Sequence, residues 1–147
     1  MLVLSWLYAM ITTVRNFLYD SKILNSEKVE GVEVICIGNI TVGGTGKTPI
    51  VQYFAKKYIN EGKKVAIVSR GYKGKRSVDP LIVSNYENII ATVEESGDEP
   101  YLHAIALPKI PVIVARKRIE GVKLAKKEFQ VDVVILDDGF QHRQLYR

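Results

Sequence analysis

Short apolar runs alternate along this chain with longer stretches in which apolar residues return every three or four positions. The first run, residues 32–37, reads as a strand, and residues 64–69, 81–84, 111–115 and 131–136 read the same way. Between them the helical spacing predicts a helix through Val51, Phe54, Ala55, Tyr58 and Ile59 that stops near Gly62, then helices over 100–107 and 116–130. Strands alternating with helices predict a mostly parallel sheet covered on both faces, an α/β fold. Residues 20–31 are polar and read as a connector, and no repeats or low-complexity tracts interrupt the pattern.

The amino-terminal pattern is of another kind. No charged side chain occurs before Arg15, and Leu4, Leu7, Ile11, Val14 and Leu18 recur at helical spacing with Trp6, Tyr8 and Tyr19 nearby. The stretch is too short to cross a bilayer, and it lacks both the leading basic residues and the cleavage site of a signal peptide. Two readings stand: a helix lying in a membrane interface with its aromatics at the headgroups, or a helix docked on the protein's own core. The chain thus divides into an amino-terminal unit, 1–24, and a larger domain, 32–147.

Composition adds little except through charge. A 147-residue chain that is 47% hydrophobic and 25% charged suits one domain with a real core. The lone cysteine, Cys36, falls inside the first strand, where it reads as a small buried hydrophobe without a disulfide partner. The net charge of +5 draws on a cluster that includes Arg116, Lys117, Arg118, Lys123, Lys126 and Lys127. That cluster is a solvated helix face or an attraction to anionic lipid or phosphate. Aromatics are not interleaved with it as stacking platforms, which argues against nucleic acid.

The chemistry begins after the first strand, where Gly38-Asn39-Ile40-Thr41-Val42-Gly43-Gly44-Thr45-Gly46-Lys47-Thr48 leads into a helix. Small residues let backbone N–H groups curl around phosphates, a lysine at the loop's end meets the β/γ charge, and the next hydroxyl can ligate Mg²⁺. The usual pattern places glycine where this chain has Thr41, and Gly43 and Gly44 supply the small residues instead. Pro49 follows in a first helical turn, where its missing N–H is not needed. In parallel sheets ligands bind beyond the carboxyl ends of strands. Two further strand-end features therefore matter, Ser69-Arg70-Gly71-Tyr72 and Asp137-Asp138. An apolar strand ending in aspartate downstream of a phosphate loop is how such proteins place a Mg²⁺ carboxylate, although Asp-Asp-Gly also suits a turn. Asp98-Glu99 before Pro100 reads either as an N-cap with an acid in the first turn or as the carboxylate that orients an attacking hydroxyl. His103 falls within a helix and reads as structural, while His142 could face a nucleotide; neither has metal-ligand spacing.

Taken together, the glycine loop through Pro49, Ser69-Arg70-Gly71-Tyr72, Gly97-Asp98-Glu99-Pro100 and Leu136-Asp137-Asp138-Gly139-Phe140-Gln141-His142 resemble, in order, the motifs of the tetraacyldisaccharide 4'-kinase family of lipid A biosynthesis. Leu18-Tyr19-Asp20 is also similar to that family's opening segment. The resemblance implies a P-loop NTPase-like fold and transfer of the ATP γ-phosphoryl to the 4' hydroxyl of an acylated glucosamine disaccharide at the cytoplasmic face of the bacterial inner membrane. It implies that Thr41, Val42, Gly43, Gly44, Thr45, Gly46, Lys47, Thr48, Gln141 and His142 bind ATP, and that Thr48, Asp137 and Asp138 serve Mg²⁺. It further implies Asp98 as base supported by Glu99, Arg118 as a basic group near the reacting atoms, and Ser69, Arg70, Gly71 and Tyr72 beside the substrate. Family members are longer, with a carboxyl-terminal portion that completes the nucleotide pocket, so the resemblance implies a truncated kinase. Two other classes compete. A switch ATPase of the Gly-Gly-x-Gly-Lys-Thr type usually carries lysine where this chain has Val42, and a non-catalytic fragment would bind without turnover.

Overall fold

In a computed structural model of the protein, the described residues are Trp6, Met10, Thr13, 27–38 and 46–138. Five strands, β1 (Glu33–Ile37), β2 (Val65–Ser69), β3 (Leu81–Ser84), β4 (Val112–Val114) and β5 (Val133–Asp137), form one sheet in the order β1-β5-β2-β4-β3. β1, β5, β2 and β4 are parallel, and β3 pairs antiparallel with β4 at the edge, with a register shift between Ile82 and Ser84. Among the described residues from Glu33 onward, the helices α1 (Lys47–Asn60), α2 (Val93–Ser96), α3 (Asp98–Ala106) and α4 (Arg118–Phe129) accompany them.

Side chains alternate across each strand, so every central strand feeds two cores. Val133 and Ile135 join Ile67, Val112, Val51 and Ala55 of α1 and Ala104 of α3 on one face. On the other, Val134 and Leu136 join Val68 and Ile113 against Ile119, Val122 and Ala125 of α4. Burying such a side chain completely stabilises by roughly 1.5–3 kcal/mol, enough for the sheet to override the weak amphipathicity of its covering helices. β5 lies between β1 and β2 and is buried at all five positions, so its carboxyl end is held from both sides of the sheet.

Every strand expected from the sequence is present, and the three helices expected after the glycine loop correspond to α1, α3 and α4. Helix α2 was not foreseen, though Thr92 and Glu95 make a reciprocal capping box: Glu95 N donates to Thr92 Oγ1 at 3.3 Å and Thr92 N donates to the Glu95 carboxylate at 2.9 Å. Cys36 is half-buried rather than buried. The basic cluster splits: Arg116, Lys117, Lys123 and Lys127 are exposed, Lys126 reaches back to the Gly31 carbonyl, and Arg118 turns inward with 2% of its surface exposed. Trp6, Met10 and Thr13 are helical and exposed, and their spacing puts them on one side of a helix. Among the described residues no helix is long and apolar enough to cross a membrane.

Candidate active site

Helix α1 begins directly at Lys47, with Gly46 in the left-handed conformation before it, so the lysine and Thr48 occupy the first helical turn. The remaining loop residues Thr41, Val42, Gly43, Gly44 and Thr45 lie outside the described residues, as do Gln141 and His142. Lys47 Nζ donates to Asp138 Oδ1 at 2.8 Å, which joins the end of the glycine loop to the end of β5. Burial works against the ammonium, but the hydrogen bond to Asp138 and the charges of Asp138, Asp137 and Glu99 hold its pKa above the ordinary lysine value. Asp138 is left-handed at φ 56° and 57% exposed along its side chain, a conformation that aspartate tolerates. It thus makes the turn expected of Asp-Asp-Gly and also pairs with Lys47.

One residue earlier the environment reverses. Asp137 closes β5 with 1% exposure, and its Oδ2 lies 3.1 Å from Nε2 of His103, which is wholly buried on α3. Asp137 Oδ1 and His103 Nδ1 are buried without a hydrogen-bond partner. Polar atoms in that condition are uncommon in native structures and call for a partner. Asp137 Oδ1, the Asp138 carboxylate and the Thr48 hydroxyl are hard oxygen donors of the kind a divalent cation takes, and they are the groups that could hold one. Among the described residues no group of three or more His, Cys, Asp or Glu converges on one point.

Arg118 opens α4 beneath the same strand ends. Its Nη1 donates to the Ala115 carbonyl at 2.6 Å, while Nε and Nη2 are buried without partners. Burial, together with repulsion from Arg70, lowers its pKa to about 10 against the opposing pull of Asp138 and Asp137. A guanidinium with unused donors, felt by both aspartates and by Arg70, is suited to an anion.

Asp98 and Glu99 stand in the first turn of α3, and the N-cap is Gly97, with no side-chain capping bond. The capping role is therefore not the one Asp98 plays. Burial and the Asp137 charge raise the Glu99 pKa, opposed by Lys47 and His103, so Glu99 belongs electrostatically to the Lys47 cluster. Asp98 is exposed and borders a hollow of about 240 Å³ with Lys73, Lys75 and Glu94. Ser69 is buried in β2, Gly71 is buried, and Arg70 and Tyr72 are exposed. Arg70, Gly71 and Tyr72 border a second hollow of about 320 Å³ with Lys73, Arg76 and Arg116. The two loops meet backbone to backbone: a Cβ on Gly97, at φ 87°, would lie 2.6 Å from the Tyr72 carbonyl oxygen, so only glycine fits there. Sequence reasoning took His103 as structural, left Arg116 in a general basic cluster and did not single out Arg76. His103 was legible as Glu99 plus four, one face of one helix.

A sequence profile of the family described as Tetraacyldisaccharide-1-P 4'-kinase matches residues 1–147. The chain belongs to this kinase family. The tetraacyldisaccharide 4'-kinase of Aquifex aeolicus is 48% identical over 143 residues, covering 97% of this chain and 44% of the relative. That of Halothermothrix orenii is 42% identical over 146 residues, covering 99% and 38%. A crystal structure of "apo" form LpxK from Aquifex aeolicus in complex with ATP superposes with a TM-score of 0.88 at 47% identity, over 99% of this chain and 45% of that one. The chain spans about two-fifths of the length of the curated relatives it matches. At this identity the tetraacyldisaccharide 4'-kinase fold, P-loop-like and doubly covered, is that of this chain.

Proposed function

We propose that the chain forms the nucleotide-binding part of a kinase that moves the γ-phosphoryl of ATP to the 4' hydroxyl of a tetraacylated disaccharide 1-phosphate. The observation that carries this reading is the 2.8 Å bond from Lys47, at the end of the glycine loop, to Asp138 at the end of β5. It sets a phosphate-binding cation beside a carboxylate pair, the arrangement that phosphoryl transfer requires. Thr41, Val42, Gly43, Gly44, Thr45 and Gly46 would cradle the phosphates, Lys47 would meet the β/γ charge, and Gln141 and His142 would flank the nucleotide. Thr48, Asp137 and Asp138 would hold Mg²⁺, which when bound neutralises charge on the β and γ oxygens.

Asp98 would take the proton of the 4' hydroxyl as its oxygen bonds to the γ phosphorus and the bond to the bridging oxygen of ADP breaks. A carboxylate at a helix N-terminus that is not spent on capping supports that role. Glu99 would support it from the adjacent position, and Arg118 would stabilise charge on the transferring group. Ser69, Arg70, Gly71 and Tyr72 would border the sugar, and the basic hollow with Arg116 suits its phosphate. Exposed Trp6 and Met10 on one side of a helix support an amino-terminal unit lying in the membrane interface, at the cytoplasmic face where ATP is available. The test is a transfer assay with γ-labelled ATP, Mg²⁺ and the acylated disaccharide phosphate. Label appearing on the lipid supports the kinase, and ATP hydrolysis indifferent to the lipid would turn the reading toward a switch ATPase.

A further inference from the structure

His103 takes no part in the machinery described above, yet it is wholly buried against the strand end on which that machinery depends. Its protonation pattern follows from geometry. A proton on Nδ1 would leave a buried N–H without an acceptor and set the Nε2 lone pair against a carboxylate oxygen. A proton on Nε2 instead donates to Asp137 Oδ2, and only a bare acceptor at Nδ1 is left over. The terminal torsion of an aspartate is soft and nearly two-fold, so an unanchored carboxylate would exchange its two oxygens freely. Anchoring Oδ2 leaves Oδ1 as the oxygen on offer.

The same bond has a second consequence. Glu99 and His103 are four residues apart on α3 and share a face, and Asp98 opens that helix. A bond from His103 to β5 therefore sets the acceptor-side carboxylates in register with the cation-side ones. We propose that His103 is a positioning residue that presents Asp137 Oδ1 to the divalent cation and fixes helix α3 against β5. This rests on the kinase reading. It adds a residue that touches neither nucleotide nor sugar.

The test uses the full chain and a fluorescent ATP analogue, titrated once in EDTA and once with Mg²⁺. His103→Leu removes the donor, and His103→Gln keeps an N–H at similar reach. His103→Leu is expected to lose about tenfold or more of the affinity gained on adding Mg²⁺, with binding in EDTA unchanged, and His103→Gln to recover most of it. A Mg²⁺ gain equal in all three proteins would overturn the proposal and leave His103 a packing residue. Ring-nitrogen NMR of the unmodified chain supplies a readout that needs no variant to fold: protonated Nε2 with bare Nδ1 is expected, and the reverse tautomer would overturn the proposal. A parent chain that binds no nucleotide would count against the kinase reading, and the tautomer together with Mn²⁺ broadening of the His103 ring signals would still decide this one.

Discussion

Asp137 and Asp138 are neighbours in sequence and occupy opposite surroundings. The first is sealed at the end of β5 against His103 and beside Arg118, and the second projects into solvent and pairs with Lys47. Around Asp137 polar atoms are fixed and in part unpartnered, so the region trades stability for a prepared geometry. Around Asp138, Lys47, Asp98 and Glu99 the groups are exposed or half-exposed, and their exchange between partners is cheap. On the proposed function, the fixed surroundings would suit an ion and the exposed ones a mobile substrate.

That contrast predicts that replacing Lys47 or Asp98 changes transfer with little effect on unfolding, while replacing a buried group such as Arg118 tests the balance between transfer and stability. Lys47→Ala is expected to lower transfer by at least about a thousandfold and abolish saturable ATP binding, with unfolding unchanged within about 0.5 kcal/mol. An unaltered ATP titration would remove the lysine from the phosphate site. Asp98→Asn should retain ATP binding and lower transfer by at least about a hundredfold, read as kcat falling at constant nucleotide affinity. Near-normal turnover would pass the base to Glu99. On the buried side, Arg118→Met should slow transfer by about tenfold to a hundredfold while leaving stability equal or higher, because burial costs this guanidinium more than its aspartates return. A chemical denaturation curve shifted clearly to lower denaturant would contradict that balance.

The smallest effect expected is at Glu99. Its pKa is raised on folding, so the ionised form costs stability above that value, and the cost disappears as pH falls through the folded pKa toward the usual glutamate range. Glu99→Gln should accordingly melt slightly higher than the parent at neutral pH, with the difference closing on acidification. A difference that widened toward low pH would reverse the sign assigned here.

The sheet was legible in sequence because its strands are continuous apolar runs, as strands buried on both faces must be. β3 was found as a strand by the same signal, but its antiparallel pairing depends on partner choice, which no local pattern encodes. The pairing of Lys47 with Asp138 was legible because the end of the glycine loop and the end of β5 both fall at the sheet's carboxyl side. Which aspartate would be buried was not, because Asp137 closes β5 while Asp138 leaves the strand in a left-handed turn. His103 and Arg118 were the least visible. A histidine inside a helix and an arginine among exposed lysines look ordinary until tertiary packing turns them inward.

The contact between Gly97 and the loop that follows β2 is made of main chain on both sides. How closely those two segments approach is therefore independent of what Arg70, Tyr72 and Asp98 carry beyond their α-carbons. An engineer seeking a different acceptor could exchange Arg70 and Tyr72 while the scaffold kept its spacing, and should leave the glycine and the proposed base Asp98 alone.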